Sequence, residues 1–212
     1  MEAMRGAHAL AIDAHDLAAR VDGYAHVLID LGTGDGRFVR HVAATCPTTF
    51  AIGVDACREN LREASRRAPA NALYLIANAL ALPPALDGLA TRLTVNFPWG
   101  SLLAALLAGD PALMERLAGL ARPGALVEVR LNAGALAEAG WPLMEGARRV
   151  RQALQAGGFN VRPAVELGPR ELRACPTTWA RRLAFGRDPR ALELCGERAP
   201  NIIAPLLCAY QT

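Results

Sequence analysis

The chain has 212 residues, 52% apolar and 20% charged, with a formal net charge of +3. That is enough for one packed domain of ordinary soluble composition, which excludes a disordered, fibrous or disulfide-scaffold protein. The apolar run Ser101 to Leu107 is too short to cross a bilayer, and Met1 to Gly23 carries Glu2, Asp13, Asp16 and Asp22, unlike a secretory signal, so no membrane partner and a cytoplasmic location are expected.

Residues 1–22 form an Ala-rich extension, readable as a helix or a loose arm. The domain is expected over 23–212. Ala25 to Leu31 reads as a short buried strand ended by a glycine turn, with a helix from Arg37 to Ala44. Thr49 to Asp55 is a second strand, Arg58 to Arg67 a charged helix, and Ala72 to Ala77 a third strand. Arg92 to Phe97 is a fourth strand, closed by Pro98. A helix over Leu113 to Ala121 stops at Arg122-Pro123-Gly124, and Ala125 to Leu131 is a fifth strand. Leu143 to Ala156 is a helix ended by Gly157-Gly158. Phe159 to Val165 and Ile202 to Cys208 read as two final strands forming a late hairpin. Strands alternating with helices predict an α/β, Rossmann-like fold with a mostly parallel sheet and helices on both faces, and seven strands with a late hairpin would match the class I methyltransferase version of that fold.

The strongest motif is Asp30-Leu31-Gly32-Thr33-Gly34-Asp35-Gly36, where a strand gives way to a helix. Glycines there allow a tight turn and close approach of backbone to a ligand. The spacing is G-x-G-x-G, not the G-x-G-x-x-G of dinucleotide enzymes. Asp30 would repel a pyrophosphate and suits a ligand with an ammonium group, such as the methionine end of S-adenosylmethionine. Asp55, at the second strand's tip, is placed to accept hydrogen bonds from ribose hydroxyls. Asn78, in Ala77-Asn78-Ala79 at the third tip, is either an adenine contact or a plain turn residue. The cofactor site is expected to comprise Asp30, Gly32, Thr33, Gly34, Gly36, Asp55, Ala56, Asn78, Ala79, Asn96 and Pro98.

The fourth strand ends in Asn96-Phe97-Pro98-Trp99-Gly100-Ser101. Trp99, between proline and glycine, falls outside any apolar period and reads as a loop residue able to stack on a planar substrate. A second tryptophan, Trp179, sits in the arginine-rich stretch Thr177 to Arg187. An aromatic interleaved with cations suits a flipped base beside a phosphate backbone; the alternative is a solvated basic helix. All 23 basic residues are arginine, whose planar fork grips phosphate. Cys46, Cys57, Cys175, Cys195 and Cys208 form no C-x-x-C pair, and no metal site is expected.

Asp30 to Gly36, Phe97-Pro98-Trp99-Gly100-Ser101-Leu102-Leu103 and Trp179 to Arg187 together resemble the aminoglycoside-resistance 16S rRNA methyltransferases of the Kam/Npm type, in the same order, from about Val27 to about Arg190. That family methylates N1 of adenine 1408 in the ribosomal decoding site. The resemblance implies S-adenosylmethionine as cofactor, S-adenosylhomocysteine as product, 16S rRNA within the 30S subunit as partner, a monomer, and aminoglycoside resistance. It implies that Trp99 and Trp179 sandwich the flipped adenine and that Thr177 sits beside base or cofactor. Arg66, Arg67, Arg182 and Arg187 match positions that contact rRNA. Leu80 stands where the family often has glutamate, and the stretch between Arg130 and Leu143 is short. The other readings are a methyltransferase of another RNA such as tRNA, a small-molecule methyltransferase, or a weakly active or inactive cofactor-binding homologue.

Overall fold

The computed structural model describes residues 1–184 and 188–200. Along them run β1 (Glu2–Arg5), β2 (His8–Ala11), α1 (Ala14–Val21), β3 (His26–Leu31), α2 (Arg37–Thr45), β4 (Thr49–Asp55), α3 (Arg58–Arg66) and β5 (Ala72–Ile76). A short 3-10 turn at Pro84–Leu86 precedes β6 (Ala90–Asn96), α4 (Gly100–Ala108), α5 (Pro111–Leu120) and β7 (Ala121–Asn132). The rest comprises α6 (Ala133–Glu138), α7 (Leu143–Ala156), β8 (Phe159–Val161), β9 (Val165–Glu166), α8 (Pro169–Ala174), α9 (Thr178–Ala184) and β10 (Ala191–Arg198).

One sheet joins the strands in the order β2-β1-β5-β4-β3-β6-β7-β10-β8, with β9 beside β10. β5, β4, β3, β6 and β7 pair in parallel; β10 runs antiparallel to β7, with Leu192 opposite Leu131. The expected mostly parallel sheet is therefore present, but with ten strands among the described residues rather than seven. Three differences account for the change. First, of the helix and the loose arm expected over residues 1–22, the helix is present at Ala14–Val21, preceded by a hairpin that neither reading contained. β1 pairs with β5, Ala3 opposite Leu75, and so widens the sheet. Met4 and Leu17 are buried, and the Met1 ammonium donates to the Ile12 carbonyl at 3.0 Å. Second, the partner of β8 is β10, a strand missing from the expected set. The strand expected over Ile202 to Cys208 lies outside the described residues. Third, Phe159 to Val165 divides into the short β8 and the start of β9. A smaller difference is that β7 begins at Ala121, ahead of the exposed Arg122-Pro123-Gly124, which forms an irregularity in its register with β6 and has Gly124 at φ of +78°.

The parallel strands are apolar on both faces because helices cover both. Successive residues of a strand point to opposite sides. Val27, Ile29 and Leu31 of β3 pack into the larger core cluster, which includes Leu17, Leu106, Leu117 and Leu154, while Leu28 packs into the other with Phe38, Val42 and Leu61. Each fully buried Leu or Ile contributes about 1.5–3 kcal/mol. Helix starts are set locally: Asp13 and Asp16 form a reciprocal cap on α1, Asp110 caps α5 ahead of Pro111, and Asn132 caps α6. Among the described residues no helix is long and apolar enough to cross a membrane. The parallel strands end along one edge at Leu31, Asp55, Ile76, Asn96 and Asn132. Strand order reverses between β3 and β6, and that switch point is where open α/β sheets bind ligands.

Candidate active site

A cavity of about 560 Å3 opens at this switch point, within the usual range for small-molecule sites. Its floor is the tip of β3. Asp30 is buried, and its Oδ1 accepts hydrogen bonds from the Thr94 hydroxyl at 2.6 Å and from Asn96 Nδ2 at 2.9 Å, both on the neighbouring β6. Burial pushes the Asp30 carboxyl above its ordinary pKa, opposed by the side chains of Thr33, Thr94 and Asn96 and by the Arg130 guanidinium.

After β3 the chain turns through the glycines. Gly32 and Gly34 adopt φ of +67° and +56°, the left-handed region that only glycine enters freely. A Cβ on Gly32 would stand 2.8 Å from Leu102 Cδ2. The Gly34 amide donates to Asp55 Oδ2 at 2.8 Å, while Asp55 Oδ1 accepts from the Cys57 amide at 2.8 Å. Asp55 Oδ1 also accepts from Asn60 Nδ2 at 3.4 Å, so Asp55 is the strut that shapes the glycine loop, and Oδ2, with one donor, is the oxygen left to accept from a ligand. The Thr33 hydroxyl lines the cavity, buried beside the Asp30 carboxylate that it helps to stabilise. Asn78 uses Oδ1 to accept from the Leu80 amide at 2.9 Å. It is therefore a turn residue that also lines the cavity, its amide nitrogen left to donate. Ala56, Ala79, Asn96 and Pro98 line the cavity as well, as does Leu80.

Gly36 is different. It does not line the cavity; it is the left-handed N-cap of α2, packed where a Cβ would meet Tyr74 Cε1 at 2.5 Å and Ala64 Cβ at 2.7 Å. Its role is to let α2 start against β5 and α3.

The mouth carries the two tryptophans. Trp99 is the N-cap residue of α4, and Trp179 lies in the first turn of α9. Their rings stack with centroids 5.4 Å apart and planes 13° from parallel. Both are partly open to solvent, 42% and 40%. Arg182 lies over the Trp179 ring at 5.2 Å. Phe97 orients this end. It has φ of +52°, strained for a side chain of its size, and is buried against Leu172 and Ala180 of the α8–α9 pair. Thr177 is buried, lines the cavity and caps α9, its hydroxyl accepting from the Ala180 amide at 2.9 Å. The neighbouring Thr178 hydroxyl donates to Asp35, which also pairs with Arg37 at 3.1 Å.

Not every expected residue comes to this place. Arg66 and Arg67 end α3, which leaves β4 at the cavity edge and returns to the start of β5; they stand a helix length away. Arg66 is paired with Glu63 at 2.6 Å, beside the β1–β2 turn at Gly6. Arg187 lies outside the described residues. Conversely, Asp35, Phe38, Phe97, Leu102 and Thr178 line the cavity without having been singled out. Asp35 sits inside the glycine motif and was the one most open to detection; the others have no local signature.

The donor set fits S-adenosylmethionine. A buried carboxylate suits an ammonium, and at Gly32, left-handed and placed where a Cβ would crowd Leu102, the bare backbone lets a ligand approach closely.

Over residues 2–197 the chain matches the family described as NpmA, 16S rRNA (adenine(1408)-N(1))-methyltransferase. The match begins ahead of Val27, so the N-terminal hairpin belongs to the family pattern. A 16S rRNA (adenine(1408)-N(1))-methyltransferase of Escherichia coli is 30% identical, over 91% of this chain and 96% of that protein. Among solved structures, the antibiotic-resistance methyltransferase Kmr is 35% identical with a TM-score of 0.79, covering 94% of this chain and 99% of its own. The 16S rRNA methyltransferase KamB is 30% identical with a TM-score of 0.85, covering 94% and 100%. With the glycine loop, its carboxylates and the paired tryptophans in one cavity, and with likeness along nearly the whole chain, the chain belongs to the NpmA family of 16S rRNA (adenine(1408)-N(1))-methyltransferases.

Proposed function

We propose that the chain methylates N1 of adenine 1408 in 16S rRNA within the 30S subunit, acting as a monomer and giving aminoglycoside resistance. The observation that carries this reading is the stacked Trp99–Trp179 pair at the mouth of a cavity floored by Asp30. A small-molecule methyltransferase has no need of two parallel indoles flanked by Arg182, whereas a flipped base does.

When bound, S-adenosylmethionine supplies an electrophilic methyl group on a sulfonium sulfur, leaving S-adenosylhomocysteine. Asp30 would hold the ammonium, Asp55 the ribose, and Asn78 the adenine, with Gly32, Thr33, Gly34, Ala56, Ala79, Asn96 and Pro98 shaping the walls. The nucleophile, adenine N1, has a free lone pair and no proton at neutral pH. No general base is required, and none of His8, His15, His26 and His41 lines the cavity. The protein's contribution is placement: Trp99 and Trp179 hold the base plane, and the fixed strand tips hold the donor. The product base is cationic, and facing indoles favour that charge. Arg182 would neutralise phosphate at the mouth; Arg66, Arg67 and Arg187 would meet rRNA beyond the target nucleotide.

The test is transfer of labelled methyl to purified 30S subunits, with the modified base mapped by reverse transcription. A stop at adenine 1408 supports the reading. Transfer to tRNA instead, or cofactor binding without transfer, overturns it.

A further inference from the structure

Beneath the cavity floor the polar groups form a directional chain. An amide has two unlike ends: its oxygen accepts and its nitrogen donates. Arg130 Nη1 donates to Asn96 Oδ1 at 2.6 Å. A guanidinium has no acceptor, so only the oxygen end of Asn96 can face it. The nitrogen end is thereby turned toward Asp30, where Nδ2 donates to Oδ1. Arg130 is itself fixed. It lies over the Phe38 ring at 5.8 Å, and its Nη2 pairs with Glu128 at 3.0 Å and Glu193 at 2.7 Å. Burial works against its charge, but Glu193 and Glu128 outweigh that and keep it firmly protonated.

We infer that Arg130 is a positioning residue for the methyl donor: by locking the Asn96 amide it keeps Asp30 a carboxylate, with Oδ1 saturated by two donors and Oδ2 presented to an ammonium group. The inference rests on the reading of Asp30 as the ammonium ligand. Without Arg130 the amide can turn its oxygen to Asp30. That arrangement favours a protonated carboxyl, which donates to the amide and no longer attracts an ammonium.

The other titratable groups facing Asp30 do not substitute for Arg130. Tyr74 from β5 and Cys175 from the segment between α8 and α9 are both pushed up by burial and are neutral near pH 7. Thr94 and Asn96 of β6 carry no charge. Asp55 of β4 is engaged by the Gly34 and Cys57 amides, and Asp35 at the rim is paired with Arg37.

The experiment is calorimetric binding of two probes, S-adenosylhomocysteine and 5′-methylthioadenosine, which lacks the amino-acid end. They are titrated into the parent, Arg130→Gln and Arg130→Lys at about pH 6 and about pH 8. Arg130→Lys keeps a charge between Glu128 and Glu193 without the fork that reaches Asn96, so it keeps the test readable if Arg130→Gln fails to fold. The expected result is a loss of about tenfold or more for S-adenosylhomocysteine, and a further weakening of about tenfold toward the lower pH beyond any slope of the parent. Affinity for 5′-methylthioadenosine stays within about twofold throughout, because that probe has no ammonium for Asp30 to hold. If both probes weaken together, or the pH profile matches the parent, Arg130 is only a structural prop and the inference is overturned. Asp30→Asn separates the two readings. If it binds S-adenosylhomocysteine like the parent, the Asp30 assignment itself fails. If it loses binding while the Arg130 variants do not, only the inference fails.

Discussion

At the cofactor end of the cavity the carboxylates are held by donors from the protein itself: Asp30 by Thr94 and Asn96, Asp55 by the Gly34 and Cys57 amides. At the target end two indoles, 42% and 40% exposed, lie against each other on a helix cap and a seven-residue helix. The first end is built from strand tips and is rigid before any ligand arrives. Among the described residues the second is held by the Thr177 cap, the Thr178–Asp35 hydrogen bond and the small cluster of Phe97, Leu172, Ala180 and Ala191. A base inserted between the rings needs about 7 Å between their centroids, two stacking distances of about 3.4 Å. The rings stand at 5.4 Å, so they must part, and α9 is the element light enough to move. The division matches the two tasks, since the donor is always the same small molecule while the base arrives as part of a large RNA.

The contrast breaks most sharply at Asp30. Asp30→Asn keeps an acceptor for Thr94 and Asn96 but removes the charge. Losing one partner of a buried charge pair costs about 2–5 kcal/mol, so affinity for S-adenosylhomocysteine should fall 30-fold or more by calorimetry. Stability should move the other way. Burial raises the Asp30 pKa above its ordinary 3.8. Between those two values the folded chain holds a proton that the unfolded chain has released, so stability falls as pH rises through that window. At neutral pH the Asp30 charge is therefore a net cost. Asp30→Asn should melt higher than the parent, by about 2–4 °C for each kcal/mol relieved, and the gap should shrink as pH falls toward 3.8. A variant that melts lower at neutral pH would show that the donors around Asp30 outweigh its burial.

Next in size is Gly36→Ala. The new methyl would stand 2.5 Å from Tyr74 Cε1 and 2.7 Å from Ala64 Cβ, on backbone with φ of +67°. Left-handed strain of about 1–2 kcal/mol adds to overpacking of about 1–3 kcal/mol. The midpoint of denaturant unfolding should drop accordingly, with cofactor binding lost only as far as the fold is. Wild-type stability would mean that Tyr74 yields freely and that the rigid end is softer than its contacts imply.

These two sites also mark what could be read from the sequence. The cofactor end was legible because its chemistry is contiguous: Asp30 to Gly36 is one turn, and Asp55 closes a strand of clear apolar pattern. Even there Gly36 was misplaced, because a motif does not say which glycine faces the ligand and which faces Tyr74. Arg130 gave no signal, since its meaning depends on Asn96 in the neighbouring strand. The N-terminal hairpin was missed because small residues such as Ala3, Ala9 and Ala11 blur the two-residue alternation of a strand. β10 was missed because Glu193, Glu197 and Arg198 interrupt its apolar residues; Glu193 is there to pair with Arg130. At the target end the tryptophans stood out by type, but the Thr178–Asp35 contact joins residues 143 apart, beyond any local pattern.

Trp179→Ala sharpens the comparison from the other side. Base stacking is worth about 1–3 kcal/mol, so kcat/KM for 30S subunits should fall by about 5- to 150-fold while S-adenosylhomocysteine affinity stays within about twofold. Parallel loss of both would mean that the two ends are one unit. Retention of both would remove the indole pair from the account of the reaction.

The smallest effect, and the one that best separates placement from chemistry, is at Thr177. Its place in the cavity wall invites a catalytic role, yet its hydroxyl already accepts the Ala180 amide and so starts the helix that carries Trp179. A side-chain cap is worth about 1 kcal/mol, and in a helix of seven residues it holds the first turn together with the Thr178–Asp35 hydrogen bond and the packing of Ala180. Thr177→Ala should therefore lower global stability slightly and fray α9, reducing kcat/KM for 30S subunits by about fivefold with donor affinity unchanged. Thr177→Ser caps as well as threonine and should restore the rate. If serine is as impaired as alanine, the hydroxyl is not what matters and the cap account fails. If alanine instead weakens S-adenosylhomocysteine binding in calorimetry, Thr177 belongs to the rigid end, and the boundary between the two halves of the cavity runs through α9, not ahead of it.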